Sequence, residues 1–253
     1  MSLPVFHLPD LAGARVGGAV ELVGDEARHA TVVRRIRVGE QVALTDGAGT
    51  TVVGTVSATS KTSLTATVSK VVRTPRESPR LVVVQALPKG DRGELAVEML
   101  TEVGADVIVP WAASRSVAVW RGERAAKSLA KWRSTAREAA KQSRRAWFPS
   151  VTEMVGTSDV VDLLRDAGLA VVLHEAGVKP LAALEVPADG DVVVVVGPEG
   201  GISDEELEAF ASVGAEPLRL GSSVLRTSTA GVAASAALLS RTSRWDHDRS
   251  RES

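Results

Sequence analysis

Two glycine-bearing turns and one arginine mark where this chain could do chemistry. Residues 191–230 read DVVVVVGPEGGISDEELEAFASVGAEPLRLGSSVLRTSTA. Gly197-Pro198-Glu199-Gly200-Gly201 closes the valine run Val192–Val196, and Gly221-Ser222-Ser223 closes a second apolar run with Arg226 just beyond. Upstream, the apolar run Leu169–Leu173 stops at His174-Glu175. Adjacent glycines let backbone N–H and C=O groups approach a ligand closely, which suits an adenine or ribose edge. A phosphate cradle would want a lysine and no acid, and both GxxxxGK[ST] and GxGxxG are absent. Glu175 and Glu199 would repel phosphate and tolerate a cation. GPEGG alone could be a plain strand-to-helix turn; two such turns, with an arginine in the second, favour a site.

These residues need elements to hold them. An uninterrupted β-branched run such as Val192–Val196 is the pattern of a strand buried on both faces, as in a parallel sheet. Ser203 with Glu206 three residues later is a capping box, so a helix starts there. Pro217–Leu220 and Leu169–Leu173 are two more apolar strands. Ligands in parallel α/β sheets sit outside the carboxyl ends of the strands, so the three turns are expected to share one site.

The 253-residue chain has room for one large domain or two. It has no Cys, which excludes disulfides, a thiolate nucleophile and Cys-ligated clusters and fits a cytoplasmic protein. His7, His29, His174 and His247 are scattered without metal-ligand spacing, so no metal is expected. No signal peptide or membrane span is visible. Residues 1–73 are β-rich, with alternating runs Gln41–Thr45, Thr51–Val56 and Ser63–Val72 around an Asp46-Gly47-Ala48-Gly49 turn. One helix, near Asp25–Ile36, carries Arg34, Arg35 and Arg37 at its far end. A small barrel with that basic rim suits RNA, and equally an ordinary solvated surface.

Residues 74–80 form a charged, proline-interrupted linker. Strand Leu81–Ala86, a helix entered through Pro88-Lys89-Gly90-Asp91-Arg92 and ending near Val103, and strand Ala105–Pro110 begin an alternation that runs to Arg241. That pattern defines an α/β layered domain over 81–241. Residues 242–253 are charged and expected to fray.

Charge is segregated behind a net value of −1. Residues 111–150 carry ten cations and two acids, whereas residues 151–220 carry fourteen acids and three cations. A local basic segment on an otherwise acidic protein suggests a polyanion site. Its helix, expected over Glu123–Trp147, aligns Ala125, Leu129, Trp132, Ala136 and Ala139/Ala140 in one apolar stripe. The cations, Lys141, Arg144 and Arg145 among them, fall outside the stripe. With so few acids on the helix itself, i,i+4 pairing does not account for them, and phosphate contact is the favoured reading over a solvated face.

The motifs together resemble those of a known family. They are His29 with Val33-Arg34-Arg35-Ile36-Arg37-Val38-Gly39-Glu40, Asp46-Gly47, Lys89-Gly90-Asp91-Arg92, Thr101-Glu102-Val103-Gly104, Arg115-Ser116 and Glu138-Ala139-Ala140-Lys141-Gln142-Ser143. To these are added Gly197-Pro198-Glu199-Gly200-Gly201 and the stretch from Leu220 to Ala230. Nearly end to end, the chain resembles the RsmE family of 16S ribosomal RNA uridine N3-methyltransferases, of the SPOUT class. It departs at Ser228, where the family usually has Glu, and at Arg28, where it often has a second His.

The resemblance implies an N-terminal PUA-like β-barrel for RNA and a SPOUT α/β domain with a C-terminal trefoil knot. It implies a homodimer that uses S-adenosyl-L-methionine to methylate one decoding-centre uridine, 1498 in the usual 16S numbering, on the assembled 30S subunit. The cofactor residues expected are Leu173, His174, Glu175, Gly197, Pro198, Glu199, Gly200, Gly201, Ile202, Leu220, Gly221, Ser222, Val224, Leu225 and Arg226. Those expected to face RNA are Arg34, Arg35, Arg37, Lys89, Arg92, Lys141, Arg144 and Arg145.

The residue chemistry agrees. Without Cys, methylation of uracil C5 through a thiolate adduct is excluded, which leaves transfer to nitrogen or oxygen. Uracil N3 must lose a proton, and the resulting anion needs a positive group or N–H donors; Arg226 and Arg115 are the candidates, with no base assigned. The rival expectations are a non-catalytic RNA-binding assembly factor and a SPOUT methyltransferase acting on another RNA position.

Overall fold

The computed structural model describes residues 3–246, which divide into two compact units. Residues up to Arg76 together with Ala140–Phe148 make the first, and Glu77–Ala139 with the residues after Phe148 make the second. The expected boundary at 74–80 thus encloses the first division. The segment Ala140–Phe148, expected within 81–241, belongs to the first unit instead.

The first unit is a curled five-stranded sheet built from β1 (Val5–His7), β2 (Ala19–Val23), β3 (Gln41–Thr45), β4 (Thr50–Thr59) and β5 (Ser63–Arg73). Their order is β1-β3-β4-β5-β2, antiparallel except for the parallel β1–β3 pair. Alternating inward residues, among them Leu44, Val52, Val56, Leu64 and Ala66, close its core with Phe6 and Leu22. Asp46 shapes the β3–β4 turn because its Oδ1 accepts from the Ala48 and Thr50 amides at 2.7 and 2.9 Å. The expected helix over 25–36 is shorter: α1 (Gly24–Arg28) gives way to a π-helical turn, His29–Val33. Arg34, Arg35 and Arg37 therefore lie in the exposed chain beyond it, with Arg35 left-handed at φ +57°.

Ala140–Phe148 is built into this unit. The Gly49 amide donates to Ala146 O and the Phe148 amide to Gly47 O, both at 2.9 Å. Trp147 Nε1 donates to Thr74 O at 2.8 Å, and the Arg76 guanidinium lies 4.1 Å above the Trp147 ring centre. A Cβ on Gly49 would lie 2.6 Å from that ring, so only glycine fits. Lys141, with 6 % of its side chain exposed, pairs with Glu26 at 2.8 Å, and the Glu26 carboxylate also accepts from the His7 amide at 2.8 Å. Burial would raise the Glu26 pKa, but the His7 and Lys141 hydrogen bonds outweigh it and hold it below the usual value. Lys141 is thus a structural ion-pair partner, which corrects its expected place among the RNA contacts.

The second unit is a seven-stranded sheet in which every pairing is parallel. It contains β6 (Arg80–Ala86), β7 (Val107–Trp111), β8 (Ser150–Val151), β9 (Leu169–Leu173), β10 (Lys179–Pro180), β11 (Asp191–Val196) and β12 (Pro217–Arg219), ordered β10-β12-β9-β11-β6-β7-β8. The helices are α2 (Arg92–Val103), α3 (Gly122–Gln142), α4 (Thr157–Arg165), α5 (Asp204–Ala211) and α6 (Thr227–Leu239). The valines of β11 alternate between the two faces. Val192, Val194 and Val196 share one core cluster with Val97 and Leu100 of α2, Leu129 and Trp132 of α3, and Ala234 and Leu238 of α6. Val193 and Val195 meet Val160 and Leu164 of α4 and Phe210 of α5. Burial on both sides is why the strand needs no polar alternation, and each such side chain contributes about 1.5–3 kcal/mol.

Two further expectations change here. Helix α3 stops at Gln142, not near Trp147. Arg144 takes a left-handed φ of +58°, and the Arg145 amide returns to Ala140 O at 3.0 Å, as in a Schellman stop. Arg144 and Arg145 accordingly do not share the helix face. At the C-terminus, Ser243–Trp245 forms a short 3-10 turn rather than a frayed end. There the Arg244 side chain, 2 % exposed, donates to Asp106, Glu77 and the carbonyls of Pro79 and Gly104. Residues 247–253 of the expected tail lie outside the described residues.

Candidate functional site

A parallel sheet opens a crevice where successive crossovers leave on opposite faces. Here β6 runs into α2 on one face, and its neighbour β11 runs into α5 on the other. The β11–α5 turn is Gly197–Ser203, and the β6–α2 loop meets it directly: the Lys89 amide donates to Glu199 Oε1 at 3.2 Å. Next along the sheet lie β9 and β12, so the three turns expected to converge are neighbours by strand order. The His174 amide donates to Leu218 O at 3.0 Å, and a Cβ on Gly177 would sit 2.6 Å from the Leu218 backbone. Glycine is therefore what lets the β9 loop cross β12 this closely.

The turns enclose one pocket of about 820 Å³. All the residues expected at the cofactor site line it, from Leu173, His174 and Glu175 through Gly197–Ile202 to Leu220, Gly221, Ser222, Val224, Leu225 and Arg226. Both arginines expected to stabilise an anion line it too, as does Arg92, which had been expected to face RNA; Lys89 meets the pocket loop through its amide. Val196, Asp204 and Arg219 were not anticipated, whereas Ser223, Thr227 and Ala230 belong to the Leu220–Ala230 motif without having been named at the cofactor site. Thr227 and Ala230 stand three residues apart on one face of α6, a spacing that could have marked them. Thr227 is further held by the buried Gln85, whose Nε2 donates to its carbonyl at 3.3 Å.

Electrostatically the pocket is divided. Glu175, Glu199 and Asp204 bring negative charge, while Arg92, Arg115, Arg219 and Arg226 bring positive charge. Arg226 caps α6 from an extended backbone position and is exposed. Among the described residues it forms no ion pair with Glu199, whose carboxylate instead receives the Lys89 amide. Arg115 Nη1 reaches Ile202 O at a long 3.5 Å. A Cβ on Gly200 would lie 2.8 Å from Arg115 O, so the two loops pack backbone to backbone. Gly221 differs: a Cβ there meets nothing within 4 Å. Ser228, where the resemblance expected Glu, is 4 % exposed.

The basic helix is less free than its composition suggested. Lys131 pairs with Glu94 at 3.0 Å, and Arg133 with Glu153 at 2.9 Å while also donating to Val151 O. These acids come from α2 and from the chain after β8, which a count along the helix cannot see. Among the described residues no group of acids and histidines could hold a metal ion. No helix among the described residues is long and apolar enough to cross a membrane.

A switch-point pocket of glycine edges and mixed charge, in a unit joined by chain to a curled β unit, defines a ligand-binding α/β protein with an attached β domain. The model of an RNA methyltransferase domain matches residues 76–239, and that of an RNA methyltransferase PUA domain matches residues 22–69. The chain belongs to the ribosomal RNA small subunit methyltransferase E family. It is 46% identical over 234 residues to the member from Mycobacterium bovis, covering 90% of this chain and 89% of that one. To the Bacillus subtilis member it is 29% identical, covering 86% and 88%. The methyltransferase from Legionella pneumophila solved with bound SAM superposes with a TM-score of 0.85 at 28% identity, covering 96% of this chain and 99% of that one. The Neisseria gonorrhoeae small subunit methyltransferase E, bound to S-adenosyl methionine, gives 0.85 and 28%, covering 94% and 98%.

Proposed function

We propose that this cytoplasmic protein uses S-adenosyl-L-methionine to methylate N3 of one uridine of small-subunit ribosomal RNA, 1498 in the usual 16S numbering, on the assembled 30S subunit. The observation that carries the reading is the pocket at the switch point, in which acids, glycine edges and arginines converge. The family relationship and the two cofactor-bound neighbours support it.

The residues present fit the cofactor. The exposed edge at Gly221 offers backbone groups to an adenosine, and Glu175, Glu199 and Asp204 compensate a cationic sulfur. Bound there, the cofactor supplies a methyl group on that sulfur. The uracil must be presented with its N3 proton removed, and negative charge spreads over O2 and O4. Arg226 and Arg115 stabilise that anion; a guanidinium can bridge two acceptors where an ammonium cannot.

The first unit presents Arg34, Arg35 and Arg37 to RNA from its exposed rim, and Arg144, exposed, and Arg145, half-buried, are further RNA contacts. The protein acts as a homodimer in which the outer side of α6, with Val232, Ala233, Ala236 and Ala237, packs on a second copy. Its inner side, Gly231, Ala234, Ser235 and Leu238, is already buried. Transfer of labelled methyl from the cofactor to small subunits, with calorimetry of cofactor binding, tests the proposal; no binding and no transfer would remove it.

A further inference from the structure

Glu206 does more than its place in a capping box requires. Its Oε2 accepts from the Ser203 amide at 3.0 Å and its amide donates to Ser203 Oγ at 3.3 Å, which completes the helix cap. That arrangement needs one carboxylate oxygen. The other, Oε1, accepts from the Ser114 amide at 2.8 Å and from Thr157 Oγ1 at 3.1 Å, and Thr157 Oγ1 in turn receives Trp111 Nε1 at 3.3 Å. Glu206 is 4 % exposed, so these donors replace the water that a charged group would otherwise keep. Ser114 immediately precedes Arg115, whose carbonyl presses on Gly200, and Arg115 lines the pocket.

We infer that Glu206 is a positioning residue: one buried carboxylate fixes the start of α5 and the Ser114-Arg115 backbone together, so that the Arg115 guanidinium and the Gly197–Gly201 turn keep one spacing. The inference rests on the reading that Arg115 faces the reacting base. It goes beyond that reading by assigning the geometry of Arg115 to a residue that does not line the pocket. Removing the acceptor oxygens frees the Ser114 amide and lets the segment drift, and displacements near 1 Å suffice to slow an oriented reaction strongly.

The test is a double-mutant cycle on the full-length protein with small subunits and saturating cofactor. Single-turnover rates are measured for Glu206→Ala, Arg115→Ala and the double variant, with Ser203→Ala as the control that weakens the cap alone. Expected are a loss of roughly tenfold or more for Glu206→Ala and little further loss when it is added to Arg115→Ala, because residues acting as a unit are non-additive. Glu206→Gln, which keeps one acceptor oxygen, should recover most of the rate, and Ser203→Ala should lower Tm with its rate within about twofold of wild type. Hydrogen exchange over residues 112–116 should quicken in Glu206→Ala and stay slow in Ser203→Ala. Additive rate losses, an Arg115→Ala rate equal to wild type, or unchanged exchange in Glu206→Ala would each overturn the inference. A wild-type protein that transfers no methyl group would overturn the proposed function instead, and the exchange measurement still decides the structural claim.

Discussion

A side chain at Gly200 and one at Gly221 should act on the same pocket in different ways. At Gly200 the added Cβ would lie 2.8 Å from Arg115 O and 3.0 Å from Arg115 Cβ. Ordinary contact begins at 3.4 Å, so a backbone segment must move by roughly 0.6 Å. Overpacking of this kind costs about 1–3 kcal/mol, or a Tm lower by roughly 2–12 °C for a unit of this size. Because both segments line the pocket, Gly200→Ala should also weaken cofactor binding. The Arg115 backbone is the reason a side chain there costs stability as well as affinity. At Gly221 nothing lies within 4 Å and the backbone is not left-handed, so Gly221→Val should leave Tm unchanged while its branched side chain obstructs the ligand. Scanning calorimetry and titration calorimetry on the two variants provide the assay. If Gly200→Ala melts with wild type, or if Gly221→Val binds the cofactor with wild-type affinity, the placement of these loops around a ligand is wrong.

Arg226→Ala should lower the single-turnover rate by roughly a hundredfold or more with little change in cofactor affinity, and Arg226→Lys should recover only part; lost cofactor binding with a lowered Tm would mark a structural role instead. Glu26→Gln should destabilise the first unit near neutral pH, by at most the roughly 3–5 kcal/mol of a fully buried pair, because it removes the carboxylate charge that faces the buried Lys141 ammonium. Since the folded pKa of Glu26 is lowered, its contribution is present above the ordinary value of 4.5 and lost as pH falls through the folded value. The Tm gap between wild type and Glu26→Gln should therefore close in acid, and a gap that widened there would refute the ion pair. Arg144→Gly relieves a left-handed backbone that costs an L-residue roughly 1–2 kcal/mol, offset in part by the greater unfolded-state freedom of glycine, so Tm should rise slightly, with subunit affinity scored separately for the lost charge.

The elements legible in the sequence were those whose cause is local. Val192–Val196 needed burial on both faces and received it, and Ser203 with Glu206 formed the expected cap. Strand ends that stop at glycine turns marked the pocket because crossovers are short and the crevice of a parallel sheet is fixed by topology. What escaped was non-local or unsignalled. No glycine announces the end of α3, since Arg144 itself adopts the left-handed position. Lys131, Arg133 and Lys141 looked unpaired because Glu94, Glu153 and Glu26 arrive from other segments. Arg244 looked like tail charge, yet its partners Asp106 and Glu77 lie more than a hundred residues away. In Glu206 the cap was visible, whereas its hold on Ser114 was not.

The central claim concerns one atom of one nucleotide, and nucleoside-resolved mass mapping of small-subunit RNA tests it most directly. Subunits from a strain lacking the protein are mapped before and after incubation with the purified chain and cofactor. The account predicts a single new methyl group, on N3 of the uridine at position 1498, absent before addition and near stoichiometric after it. A methyl group on a 2′-oxygen, on another uridine or on transfer RNA, or no new methyl group at all, would contradict it.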